Sequence, residues 1–193
     1  MAITIPADLT IVTLRSQGGD LAQRWTEEYA TSILSKASDL LKSRANIEFP
    51  CASIGEVVEE MPSGSNSETV DEAGYHFLAA AYKAGDGVRA ILVDPVVHAD
   101  LGGQSRQQTG VCLVAYGSDA ASTSRMLAHE LGHLLSLPHI DQDRRPGPGQ
   151  ERLVASWMRN LMYSGALNPA AELTDTQVRA ARSSPLARRF GGR

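Results

Sequence analysis

Three imidazoles and one carboxylate fall within a short stretch of this chain: His129, Glu130, His133 and His139. On a helix, residues four apart share a face one turn along the axis. His129 and His133 can therefore reach one zinc ion at roughly 2.0–2.1 Å. Glu130 sits about 100° further round the helix, beside the open position of such an ion rather than on it. That is where a general base for a zinc-bound water is needed. Pro138 stops the helix, so His139 comes from chain that has turned back. A third ligand there completes a three-histidine set with one position left for water. The flanks, Met126, Leu127, Leu131, Leu134, Leu135 and Leu137, are apolar and speak against a solvated helix. A buried helix carries two histidines and a glutamate only if something satisfies them.

The stretch from His129 to His139 resembles the zinc signature of the metzincin metallopeptidases, HExxHxxGxxH. Asn160-Leu161-Met162-Tyr163 resembles their Met-turn, whose methionine packs beneath the zinc ligands. Leu173-Thr174-Asp175-Thr176-Gln177 resembles the start of their C-terminal helix, so the resemblance covers about residues 86–187. It implies a zinc-dependent endopeptidase acting on proteins or peptides. His129, His133 and His139 would hold Zn2+, and Glu130 would be the general base.

The sequence also departs from that pattern. Ser136 stands where the family has a glycine suited to a left-handed turn. Asp141 and Asp143 lie close enough to serve as substitute third ligands. The tyrosine that some members carry two residues after the methionine is Ser164 here, and Tyr163 comes one residue too early, so it reads as a packing residue of the turn. Two alternatives stay open. One is a different metallopeptidase topology with Glu151 as third ligand, from a short helix reaching Arg159. The other is a non-catalytic zinc-stabilised binding module, although a structural zinc is usually closed by four protein ligands and gives Glu130 no task.

These residues need a scaffold. Residues 9–14 read as a buried strand and 17–20 as a turn, with Asp20 a candidate cap for a helix over 20–44. On that helix Leu21, Trp25, Tyr29, Ile33, Leu40 and Leu41 trace one face. Further strands are expected from residue 47, over 88–93 and over 111–116, with a loop at 61–67 and a second helix over 69–84. The active-site helix is expected to start near 122–124 on a hydroxyl cap. Strands alternating with helices predict an α/β fold with a twisted, mostly parallel sheet. By the resemblance, the segment 98–108 would hold an antiparallel edge strand along the cleft, with substrate lying beside residues near 99–103 as an added strand. Residues 164–169 would wall the pocket for the side chain after the cut, and their small neutral character suggests no charge preference. The loop 144–150 divides an upper zinc-binding part, 1–139, from a lower part, 140–193, of one catalytic domain. A last helix is expected from Thr174 to about Arg182, and its arginines read as a solvated face.

With 193 residues, 42% of them hydrophobic, the chain can build one real core. A net charge of −4 gives no reason to expect nucleic-acid binding. No run of eighteen apolar residues exists to span a membrane. No signal peptide is visible at Met1 to Pro6, which leaves a cytoplasmic location, another export route or a chain trimmed at its start. Cys51 and Cys112 permit a disulfide without suggesting one. His76 reads as a core or boundary histidine, and His98 with Asp100 as a weak second metal site. Gly132, inside the helix, costs about 1 kcal/mol relative to Ala, which points to close approach of backbone or of Met162. Oligomeric state is left open.

Overall fold

The computed structural model describes residues 1–16, 19–20, 24–60, 69–70, 72–94, 96–97, 103–117, 119–141, 149–165 and 171–191. Its centre is a sheet of β2 (Ala7–Ser16), β7 (Val88–Val93) and β10 (Val111–Ala115), joined in parallel. β7 and β10 are nearly all apolar and buried, as strands covered on both faces must be. Alternation along them feeds two cores. Ala90, Leu92, Cys112 and Val114 face one side, whereas Ile91, Val93, Val111 and Leu113 face the other.

Helix α2 (Glu72–Ala81) covers the second face with Tyr75 and Leu78. The first face carries α1 (Glu27–Ala45), α3 (Ala120–Leu134), α5 (Asp175–Ser183) and α6 (Pro185–Phe190), which add Ile33, Leu41, Leu127, Leu131, Ala181 and Ala187 to one core. The sheet closes on one side with β9 (Gly103–Arg106), antiparallel to β10, and on the other with β5 (Cys51–Glu60), parallel to β2. Short pairs complete it: β1 (Ile3–Thr4) with β4 (Ile47–Glu48), β3 (Gly19–Asp20) with the end of β2, and β6 (Thr69–Val70) with β8 (Val96–Val97). Helix α4 (Glu151–Met158) stands between α3 and α5 in sequence, starting where the sequence allowed a short helix. This is the expected α/β architecture with a mostly parallel sheet.

Several expectations need correction. The first helix starts at Glu27, not Asp20, because Asp20 pairs with Arg15 in β3. Trp25 is buried before the helix, with its Nε1–H donating to the Val93 carbonyl at 3.0 Å, and Thr26 provides the cap by accepting from the Tyr29 N–H. Leu21 lies outside the described residues. The second helix is shorter than 69–84, because Thr69 and Val70 pair with β8. β5 was not anticipated. It is an edge strand whose exposed face carries Glu56, Val58 and Glu60, and this polar face hides its β character in the sequence. The antiparallel edge strand expected within 98–108 is present as β9, Gly103–Arg106, while residues 98–102 lie outside the described ones. Helix α3 is capped by the Asp119 carboxylate, which accepts from the Ser122 N–H at 2.9 Å, rather than by a hydroxyl. A final helix, α6, follows the expected one, opened by Pro185 at its first turn. His76 is 53% exposed beside Glu72, and so is not a core histidine. Cys51 is exposed and Cys112 buried, both as free thiols. Among the described residues no helix is long and apolar enough to cross a membrane. The loops expected at 61–67 and 144–148, and the His98–Asp100 pair, lie outside the described residues.

Candidate metal centre

Helix α3 passes through the core, so its polar residues are held by its apolar ones. Leu127, Ala128, Leu131 and Leu134 are buried against the sheet and α1, which fixes the helix's rotation. The helix ends in a Schellman turn: Ser136 N–H reaches the His133 carbonyl at 2.9 Å, and Leu137 N–H reaches the Gly132 carbonyl at 3.0 Å. Ser136 takes the left-handed conformation itself, at φ 66°, at a cost of about 1–2 kcal/mol. Its hydroxyl accepts a hydrogen bond from Gln107 Nε2. The helix thus stops before Pro138, and the turn rather than the proline ends it. The returning chain is pinned where Ile140 N–H donates to the Met162 carbonyl at 2.8 Å, which sets His139 opposite the helix.

The outcome is a triangle of imidazole nitrogens. The Nε2 atoms of His129, His133 and His139 lie 3.1 Å from one another, pair by pair. The other ring nitrogens of the helical pair face carbonyls: His129 Nδ1 meets Leu161 O, and His133 Nδ1 meets Leu137 O, both at 2.7 Å. A carbonyl only accepts, so each Nδ1 carries the proton and each Nε2 keeps its lone pair toward the triangle's centre. Burial, followed by the nearby His133, pushes His129 down to about 4. Burial lowers His133 and His139 as well. Three neutral imidazoles with converging lone pairs form a group that can hold a metal ion. Tetrahedral ligands about 2.0–2.1 Å from one ion stand about 3.3–3.4 Å apart, close to the observed spacing. The donor set therefore suits zinc.

Glu130 faces the strand rather than the triangle's centre. It is 4% exposed, and its Oε2 has no hydrogen-bond partner. Burial pushes its carboxyl up to about 7. Gly103 of β9 makes this position possible, since a Cβ there would stand 2.7 Å from Glu130 Cγ. Met162 packs against the helix: a Cβ on Gly132 would lie 2.5 Å from its sulfur. That close approach accounts for the glycine, as its placement in the sequence suggested.

Asn160 positions Met162. Its Oδ1 accepts from the Met162 N–H at 2.9 Å and from Gln177 Nε2 at 3.1 Å, while its Nδ2 donates to Gln177 Oε1 at 2.8 Å. Gln177 also belongs to the capping box of α5 with Thr174, so the turn and the last helices form one unit. Sequence reasoning missed this amide pair, although Asn160 and Gln177 both lay in motifs it singled out. It also missed Gly103, which only the fold sets against Glu130, and Arg125. Arg125 stands one turn before His129, 5% exposed, with no partner for any guanidinium nitrogen. Its charge on the buried face of an apolar helix was the signal available.

The triangle and Glu130 open on a cleft of about 280 Å³, walled by Gly103 to Ser105, Met126, and Tyr163 to Gly165. Tyr163 and Ser164 thus reach the cleft, and a Cβ on Gly165 would meet the Tyr163 ring at 2.6 Å. Residues 166–169 of the expected pocket wall lie outside the described ones. Asp141 hydrogen-bonds to Ser164 and is not part of the histidine group, and Asp143 lies outside the described residues. Glu151 is exposed at the start of α4 and is not part of the group either. A larger groove of about 570 Å³ lies elsewhere, and its one charged lining residue, Arg189, is paired with Asp86.

No protein-family model matches the sequence, and no curated protein matches it. Solved structures do resemble the fold. Archaemetzincin from Methanopyrus kandleri superimposes with a TM-score of 0.59 at 12% identity, over 97% of this chain and 96% of that one. A zinc-dependent peptidase from Methanocorpusculum labreanum gives 0.56 at 12% identity, over 91% of this chain and 99% of that one. Metalloproteinase-II from Bacteroides fragilis gives 0.52 at 16% identity, over 97% of this chain and 54% of that one. The chain thus has an archaemetzincin-like fold, shared over nearly the whole length of both chains.

Proposed function

We propose that this protein is a zinc-dependent endopeptidase of metzincin type. The observation that carries the reading is the triangle of three neutral, carbonyl-oriented imidazoles with one buried carboxylate beside it. The structures that share the fold support it, two of them being described as zinc peptidases or metalloproteinases. So does the close packing of Met162 on Gly132 of the histidine-bearing helix, which suits the Met-turn that the sequence resembles.

In this reading His129, His133 and His139 hold the ion, and the Leu161 and Leu137 carbonyls hold two of the rings in the required tautomer. When bound, zinc supplies Lewis acidity, polarising the scissile carbonyl and acidifying water. Glu130 Oε2, with no protein partner, accepts a proton from the attacking water as its oxygen joins the carbonyl carbon. The same oxygen then passes that proton to the leaving nitrogen as the C–N bond breaks. β9 offers a main-chain edge on which an extended peptide can lie as an added strand. In this reading the cleft lies between an upper part ending at His139 and a lower part that supplies Tyr163 and Ser164 to its wall.

The reading predicts dependence on the metal in two observables. Chelation should abolish peptide cleavage, and added zinc should restore it. At free zinc near 1,000 times its dissociation constant the fold gains about 4 kcal/mol, so chelation should lower the melting temperature by on the order of 10 °C. An unchanged melting temperature, with no cleavage in either state, would contradict the assignment.

A further inference from the structure

The chain leaves both α1 and α3 through a residue in the left-handed conformation, Asn46 at φ 56° and Ser136 at φ 66°. Asparagine is among the few residues besides glycine that visit that region, and serine is not. Ser136 instead has a partner from elsewhere in the fold: Gln107 Nε2 donates to its hydroxyl at 2.5 Å. Gln107 opens the turn between β9 and β10, and that turn is itself held. The Thr109 N–H and hydroxyl both donate to the Arg106 carbonyl, at 3.1 and 2.9 Å, and the Gly110 N–H donates to the Gln107 carbonyl at 3.3 Å. What Ser136 carries is the metal centre. The next residue, Leu137, donates its N–H to the Gly132 carbonyl at 3.0 Å and turns its own carbonyl to His133 Nδ1 at 2.7 Å. Two residues further, His139 brings the third Nε2 to 3.1 Å from the other two. Beyond it the chain is pinned by Ile140 to Met162, so Ser136 is the near end of the segment that bears the ligand. One strained residue thus sets the orientation of one imidazole and the place of another.

We propose that Gln107 is a positioning residue of the metal centre, whose bond to Ser136 holds the left-handed turn that presents the Leu137 carbonyl to His133 and His139 to the triangle. The inference rests on reading the three histidines as a zinc site. Without the bond, Ser136 relaxes out of the left-handed region in a share of the molecules, and in those the three nitrogens do not converge. The apparent dissociation constant for zinc rises by the factor by which the competent share falls. A glycine at the same place needs no such support, because it has no Cβ to strain. The hairpin that offers an extended peptide its edge thereby also steadies the ligand set.

The test measures zinc affinity of the full chain by titration against a competing chelator, with no substrate present. Gln107→Ala should weaken zinc binding about 3–10-fold, the worth of one hydrogen bond of this kind. Ser136→Ala removes the acceptor and keeps the strain, so it should weaken binding by a similar factor. Ser136→Gly should bind at least as tightly as the wild type, and adding Gln107→Ala to it should change nothing further. Wild-type affinity in Gln107→Ala, or a loss that persists in full on the Ser136→Gly background, overturns the proposal. Melting temperatures separate positioning from plain structural support. Gln107→Ala should lower the melting temperature more with zinc than without it, because weaker binding removes part of the stabilisation by the metal. An equal fall in both states marks a structural glutamine and overturns the proposal. Failure of the zinc-site reading looks different: a wild type that binds no zinc removes both, whereas a wild type that binds zinc beside an unaffected Gln107→Ala removes this inference alone.

Discussion

Zinc-loaded protein carrying Glu130→Gln should retain its metal and cleave peptides about 10²–10⁴-fold more slowly than the wild type. The expectation rests on a site with no second candidate base among the described residues. Asp141 is tied to Ser164, and Glu151 stands exposed on α4. Among the described residues, Glu130 alone combines burial, a carboxyl raised to about 7 and an oxygen with no hydrogen-bond partner. Glutamine keeps the shape against Gly103 but cannot accept a proton. Retained zinc is part of the prediction, since Glu130 is not one of the three converging groups. Single-turnover rates and metal content on the same sample check both halves. A variant that cleaves at the wild-type rate would remove Glu130 from the chemistry.

The second large effect is expected at His139. His139→Ala should weaken zinc binding by more than about 100-fold, since loss of mere supporting hydrogen bonds to a ligand already costs 10–100-fold. Glu151→Ala should leave affinity unchanged. Titration against a competing chelator distinguishes the two. The reverse pattern would assign the third ligand to α4 and require that helix to move. The geometry argues against such a move: His139 Nε2 already stands 3.1 Å from both helical partners, and the Ile140–Met162 hydrogen bond fixes the chain beside it.

Much of this site was legible in the sequence because helical periodicity is rigid. Once residues 129–134 are helical, His129 and His133 must share a face, and Gly132 must face whatever packs between the turns. The central strands were legible for a related reason, since β7 and β10 are continuous apolar runs. What escaped depended on partners distant in sequence. Asp20 pairs with β2 instead of capping a helix, a choice made by the sheet and not by local propensity. β5 looks polar because one of its faces is exposed and carries Glu56 and Glu60. Asn160 and Gln177 are seventeen positions apart, and only the docking of α5 makes them a pair. Ser136 was legible as a departure from the glycine pattern. Its φ of 66° shows how the departure is absorbed: the residue accepts the strain and the turn keeps its form.

The most direct test of the central claim is cleavage of an unbiased peptide library by the zinc-loaded protein, read by mass spectrometry, with Glu130→Gln and a chelated sample in parallel. The account predicts internal cuts made by the wild type alone. Equal cutting by all three samples, or no cutting by a wild type with zinc shown to be bound, would contradict it.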